Sequence, residues 1–251
     1  MIEQLKKDFN KINERLKVSN KTLQLRKVNL NQFVKNGFPN KKVEDWKFSD
    51  LNQIITSNIE SLSFYNNLSH SKTDDYILID EIEHNKIIFI NGIISDYNFD
   101  HEDKNQIKLT KDLDQNENFK EVNSLVSLNN AFNSSYIKLT IKENYSLNKP
   151  LVIYNITTKD LTSIGLNLRT DIVLEKNSSL KLVCLFDDDS GDNFINIVQN
   201  FNIAKDAILK NYKIDMKKNS NIKYFYNNID LDKNSVCENF ILSTGSKFIK
   251  N

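Results

Sequence analysis

Leu174-Glu-Lys-Asn-Ser-Ser-Leu180 sets two apolar residues six positions apart around a polar turn. The same form returns at Ile141-Lys-Glu-Asn-Tyr-Ser-Leu147, Ile203-Ala-Lys-Asp-Ala-Ile-Leu209 and Leu231-Asp-Lys-Asn-Ser-Val-Cys237. The four starts are 33, 29 and 28 residues apart. A corner that recurs at this spacing is what stacked coils require, because each coil pairs with the next and lays its inward side chains on one stack. A β-sandwich also has many short strands, but nothing in it calls for the same corner at a near-constant interval. Between the corners the residues alternate with period two, at Ile137, Leu139 and Ile141, at Leu180, Leu182, Cys184 and Phe186, and at Ile222, Tyr224 and Tyr226. Residues 135–251 therefore read as a parallel β-helix with two to four short strands per coil.

Upstream the period is different. Ile2, Leu5, Phe9, Ile12 and Leu16 fall three and four apart, the stripe of an amphipathic helix. A second helical stretch carries Leu23, Leu25, Leu30, Phe33 and Val34 and stops at Asn36-Gly37. Ser49 and Asp50 are placed to cap a third helix through Leu51, Ile54 and Ile55. Residues 1–65 thus form an N-terminal helical region. Residues 66–134 read as a linker, thinnest in apolar residues from Asn66 to Asp75, and a connecting segment. Within that segment strands are expected around Tyr76, Leu78 and Ile87–Ile90, a hairpin at Asn91-Gly92, and a short helix around Phe119 to Leu128. The five glycines are supplemented by asparagine, which tolerates the left-handed backbone region and can hold turns in their place.

Composition narrows the chemistry. The 34 basic and 33 acidic side chains nearly cancel, so no net field draws the chain to nucleic acid or an anionic membrane. No apolar run approaches the roughly 20 residues of a membrane span, and the expectation is a soluble, cytoplasmic protein. The glycines are too widely spaced for a phosphate loop, and no G-x-S-x-G elbow exists. His70, His84 and His101 lack partners at metal-ligand spacing and read as surface histidines. Asp187-Asp188-Asp189-Ser190-Gly191-Asp192 lacks the ligand order of a calcium loop and reads as a solvated turn. Cys184 and Cys237 occupy apolar slots and read as core residues. No catalytic or metal-binding residue is assigned, and the chain is expected not to be an enzyme. A carbohydrate-active or acyl-transfer β-helix enzyme, the rival class, would need clustered carboxylates on one face of the coil or a catalytic histidine with hexapeptide repeats.

One segment stands apart: Gly37-Phe38-Pro39-Asn40-Lys41-Lys42-Val43-Glu44-Asp45-Trp46-Lys47-Phe48-Ser49-Asp50-Leu51, which holds the only tryptophan. Trp46 is expected to bury its ring while Glu44, Asp45 and Lys47 stay wet, as a packing anchor or a partner contact. These fifteen residues resemble the G-x-P-x-x-x-x-E-D-W-[KR]-[YF]-[ST]-x-L signature near the start of SufD-type subunits of the SufBCD iron–sulfur cluster assembly complex. Other matches follow in order: Ile88-Phe89-Ile90-Asn91-Gly92, Ser127-Leu128-Asn129-Asn130-Ala131-Phe132, Lys149-Pro150-Leu151, Arg169 ahead of a strand, and Asn211-Tyr212-Lys213-Ile214.

The resemblance implies a mainly β protein, a right-handed parallel β-helix preceded by an N-terminal α-helical region. It implies a non-catalytic scaffold whose motif residues Gly37, Pro39, Glu44, Asp45, Trp46 and Lys47 serve structure or partner contact. Its partners would be a SufB-like subunit and a SufC-like ATPase. No cofactor is expected to bind this chain stably. The iron–sulfur cluster would be assembled transiently by the whole complex, and flavin binding at that level stays open. A SufB-type subunit is the nearest alternative, set aside because the E-D-W-K-F form belongs to SufD. The final stretch, Thr244 to Asn251, resembles the middle of the family's β-helix, so the chain is expected to be truncated, with the SufC docking surface and the cluster-handling Cys and His lying beyond it. An open end at Phe240, Ile241, Leu242, Phe248 and Ile249 is expected to self-associate.

Overall fold

A computed structural model describes residues 2–66, 78–115, 123–189 and 191–251. A short helical region, α1 (Ile2–Leu16), α2 (Asn20–Asn36) and α3 (Leu51–Asn58), is followed by β1 (Asn85–Ile90), β2 (Ile93–Asn98), β3 (Ile107–Thr110) and helix α4 (Ser124–Phe132). Nine strands then wind a parallel solenoid of about four turns: β4 (Tyr136–Ile141), β5 (Leu151–Thr157), β6 (Gly165–Leu174), β7 (Ser179–Asp188), β8 (Phe194–Ile203), β9 (Ile208–Asp215), β10 (Ile222–Leu231), β11 (Val236–Ser243) and β12 (Phe248–Lys250). Successive strands alternate between two six-stranded sheets, ordered β11-β9-β7-β5-β1-β2 and β12-β10-β8-β6-β4-β3. Each coil therefore holds two long strands, the low end of the expected range.

The corners follow the repeat residue by residue. Ile141 pairs with Leu174, Leu174 with Ile203, and Ile203 with Leu231. Six positions on, Leu180 pairs with Leu209 and Leu209 with Cys237. The fourth residue of each corner, Asn144, Asn177, Asp206 and Asn234, sits in the left-handed region with φ of 62°, 57°, 61° and 59°. Asparagine and aspartate thus hold the bend that glycine usually takes. Side chains ladder between coils there, Asn177 Nδ2 donating to Asn144 Oδ1 and Asn234 Nδ2 to Asp206 Oδ1, both at 3.0 Å. Asn177→Ala is expected to cost about 1 kcal/mol because alanine pays for the left-handed backbone, whereas Asn177→Gly should lie close to wild type. Urea unfolding of the two variants separates backbone strain from the lost side-chain bond: equal losses would assign the effect to the bond.

The helical region packs on the outside of the β4-β6-β8-β10 sheet. Leu5, Phe9, Phe33, Phe38, Trp46, Leu51, Leu128 and Phe132 form one core with Phe194, Ile222 and Tyr224 from that sheet. Asn129 of α4 fastens the two layers, donating to the carbonyls of Leu168 and Asn196, while Asn196 donates back to the Leu125 carbonyl. Arg169, fully buried, donates to Asn130 Oδ1 and lies 3.7 Å from Asp171. Arg169 is inside β6 rather than ahead of a strand.

The connecting segment differs from its sequence reading in three places. Leu78 lies outside any strand. Of the helix expected around Phe119 to Leu128, Phe119 lies outside the described residues; the described helix runs from Ser124 past Leu128 to Phe132 and is capped by Asn123, whose Oδ1 accepts from the amides of Leu125 and Val126 at 3.0 Å. Finally, β1 forms the expected hairpin with β2, with Asn91 and Gly92 at φ 49° and 82°, but also pairs in parallel with β5 and extends the solenoid sheet. Tyr76, His70 and the stretch 67–75 lie outside the described residues.

Candidate functional site

The inward faces of the two sheets change character along the solenoid. In the early coils they are aliphatic, with Leu151, Ile153, Leu166, Leu168, Ile172 and Leu182 all buried. In the later coils the same in-register columns turn polar. Leu182 is followed by Asn211 and Asn239, Cys184 by Lys213, Phe186 by Asp215 and Ser243, and Leu166 and Ile195 by Lys223. Strand alternation fixes this phase: once Leu209 points inward, Asn211, Lys213 and Asp215 must do the same.

Two lysines are completely enclosed in this lumen. Lys223 Nζ is ion-paired with Asp188 and lies 2.9 Å from Asp215 Oδ2. Asp188 also accepts from the Thr157 hydroxyl at 2.9 Å, and Asp215 from the Ser246 hydroxyl at 3.0 Å. Lys213 makes no ion pair among the described residues. Its Nζ stands 4.0 Å over the Phe225 ring and has no hydrogen-bond partner among the described residues, and neither do Gln199 Oε1, Asn211 Oδ1 and Asn227 Oδ1.

Burial pulls the Lys213 ammonium down to about 8, with the Cys184 charge opposing. Burial pushes the Cys184 thiol up, against the Gln199 Nε2 contact at 3.5 Å and the Lys213 charge. Cys184 is thus a protonated thiol at neutral pH, not a nucleophile. For Lys213 the sign is clear. A lysine whose folded value lies below its unfolded one lets the unfolded chain bind the extra proton between about pH 8 and 10.5, so its destabilising effect is full below pH 8 and fades as pH rises. Lys213→Met is expected to raise the melting temperature at pH 7, and its advantage over wild type should shrink between pH 8 and 10. An advantage independent of pH would assign the effect to packing.

Three of the expected motif residues, Pro39, Asp45 and Trp46, line a cleft that opens into this lumen, and Gly37, Glu44 and Lys47 flank them in sequence. Gly37 takes φ 66° and closes α2 by donating its N–H to the Phe33 carbonyl at 2.7 Å. The Pro39 carbonyl accepts from Leu51 N at 3.0 Å, so the turn leads directly into α3. Glu44, Asp45 and Lys47 are exposed around a 3-10 turn, with Lys47 3.9 Å from Glu44. Trp46 is buried, its ring centroid 5.8 Å from Tyr224 and 6.5 Å from Phe248, with Lys250 Nζ 5.6 Å above it. A cleft of about 1110 Å³ runs from Pro39, Trp46 and Tyr224 to the inward-facing Phe225, Asn227 and Asn239. The structure therefore brings the motif and the polar lumen together.

Sequence reading missed the lumen lysines and misplaced Asp188. The run from Asp187 to Asp192 is not wholly a solvated turn: Asp188 ends β7 and is buried against Lys223, while Asp187 and Asp189 meet Lys217 at the surface. His84 is not a free surface histidine, since its Nε2 is 2.9 Å from the Tyr154 hydroxyl. His101 is exposed. Among the described residues no group of three or more His, Cys, Asp or Glu is placed to hold a metal ion, and no helix is long and apolar enough to cross a membrane.

Residues 155–251 match the family model described as SUF system FeS cluster assembly, SufBD core domain. The match begins within β5 and covers the polar coils. It supports the SufB/SufD family and involvement in iron–sulfur cluster assembly. No curated protein matches the chain.

Proposed function

We propose that the chain is a SufD-like, non-catalytic scaffold subunit of a SufBCD-type complex. The SufBD core match over 155–251 supports the broader family. The E-D-W-K-F segment, by its resemblance to the SufD signature, supports the SufD form, and its Trp46 is built into the wall between the helical region and the solenoid. One observation carries the non-catalytic reading: the two lumen carboxylates, Asp188 and Asp215, are both turned onto one lysine, and the lumen thiol is held in its unreactive form. Lys223 is committed to Asp188 and Asp215, and the Cys184 thiol is held protonated. A β-helix hydrolase needs two carboxylates facing a substrate, whereas Asp188 and Asp215 face the same lysine.

In this reading a SufC-like ATPase supplies the energy, a SufB-like subunit is the direct partner, and clusters form on the complex as its product. Purified chain is expected to show no nucleotide hydrolysis and no stoichiometric iron or zinc after gel filtration. Removing the gene should lower the activity of cluster-dependent dehydratases in the cell. Turnover of ATP by the chain alone would overturn the scaffold assignment, and unchanged dehydratase activity would overturn the pathway.

A further inference from the structure

The outer face of the β1-β5-β7-β9-β11 sheet carries two apolar rows that run across the strands in register. One passes through Val152, Val183, Tyr212 and Phe240, the other through Ile88, Tyr154, Leu185, Ile214 and Leu242. Their first halves are dry. Ile88, Val152 and Tyr154 are at most 6% exposed because Leu78 and Ile79 pack over them. That cover is a strap, residues 78–84, of sequence Leu-Ile-Asp-Glu-Ile-Glu-His, irregular in backbone and bent at Glu81 and Ile82. It is fastened by the Ile79 N–H to the Tyr154 hydroxyl at 3.1 Å, by His84 Nε2 to the same hydroxyl, and by Glu83 to Lys149 at 2.6 Å.

Past Val183 and Leu185 the rows continue uncovered, with Tyr212 37%, Phe240 53% and Leu242 37% exposed. Apolar surface that continues out of a packed interface without a break marks a contact surface. The polar features that hold the strap recur as well: an outward tyrosine in the row, Tyr212, and lysines along one flank. Lys181 makes no ion pair among the described residues, and its in-register neighbour Lys210 pairs with Glu238 at 3.1 Å.

We propose that the outer face of β7, β9 and β11 docks an aliphatic and acidic segment of another polypeptide, laid across the strands as the chain's own strap is laid across β1 and β5. Two aliphatic side chains would cover Tyr212, Phe240 and Leu242, a backbone N–H would meet the Tyr212 hydroxyl, and a carboxylate would meet Lys181. Contacts of this size suit a weak, exchangeable partner.

The probe is a fluorescein-labelled peptide with the sequence of residues 78–85, titrated with the full chain and read by fluorescence anisotropy. Saturable binding is expected, weakened at least tenfold by Tyr212→Asp together with Phe240→Asp and weakened again by Lys181→Glu. These positions are on the surface, and the melting curve of each variant verifies that it folds. A peptide with Ser at the Leu78, Ile79 and Ile82 positions should not bind. Absence of saturable binding to the folded chain overturns the proposal. So does binding that Tyr212→Asp with Phe240→Asp leaves unchanged, which would place the peptide on the strap's own site.

Discussion

Lys223→Met is expected to cost about 3 to 5 kcal/mol at neutral pH, the range for removing one partner from a buried ion pair. The reason is geometric. Asp188 and Asp215 reach the Lys223 ammonium from adjacent coils of the facing sheet, and all three side chains are enclosed. Without the ammonium, two carboxylates share a space with no cation between them, and the neutral donors that remain, the Thr157 and Ser246 hydroxyls and a long contact from Asn219 Nδ2, do not replace its charge. The penalty belongs to the orphaned charges rather than to lost packing, since methionine fills nearly the same volume. Combining Lys223→Met with Asp188→Asn and Asp215→Asn should therefore recover most of the loss. Equilibrium denaturation of the single and triple variants decides the matter, and a triple variant no better than the single one would contradict the electrostatic account.

Trp46→Ala is expected to cost a further independent 3 to 5 kcal/mol, as for a buried large aromatic cut to alanine. The ring packs on Tyr224 of β10 and Phe248 of β12 from the helical side, so truncation opens the wall between the two layers. Trp46 is the only tryptophan, so its fluorescence reports this site alone. In the wild type, emission should be blue-shifted when folded and move red in one step on unfolding. Phe248→Ala should lower the midpoint and redden the folded emission. Stability unchanged in Trp46→Ala would show that the ring carries no packing and that its role lies in partner contact.

The solenoid was legible because its corners are local. An apolar pair six residues apart, with Asn or Asp at the fourth position, needs only the left-handed tolerance of those residues and a fixed interval, and each corner pairs with the next where the repeat puts it. The helical region was legible for similar reasons: Asp50 caps α3 by accepting from Gln53 N, and Gly37 closes α2. The lumen was not. On β10 the visible apolar alternation, Ile222, Tyr224 and Tyr226, marks the outward face under the helices, which leaves Lys223 and Phe225 pointing in. When both faces of a strand are covered, the more apolar one need not be the interior, and a lysine between Ile222 and Tyr224 looks like solvent-facing relief. Only the register, set by the corner at Leu231, assigns Lys223 inward. The Asp188 partnership was hidden for the related reason that an ion triad spanning three strands has no local spacing. The strap escaped notice because its acidic residues break the alternation that would have marked Leu78 and Ile79 as covering residues.

The scaffold account stands or falls on complex formation. The purified chain, mixed with a purified SufB-like subunit and a SufC-like ATPase, can be followed by size-exclusion chromatography with light scattering. Co-elution of the chain with the SufB-like subunit, at a mass equal to the sum of the two, is the predicted result. Separate elution of a chain that is folded by circular dichroism, at concentrations well above those at which the partners bind each other, would contradict it.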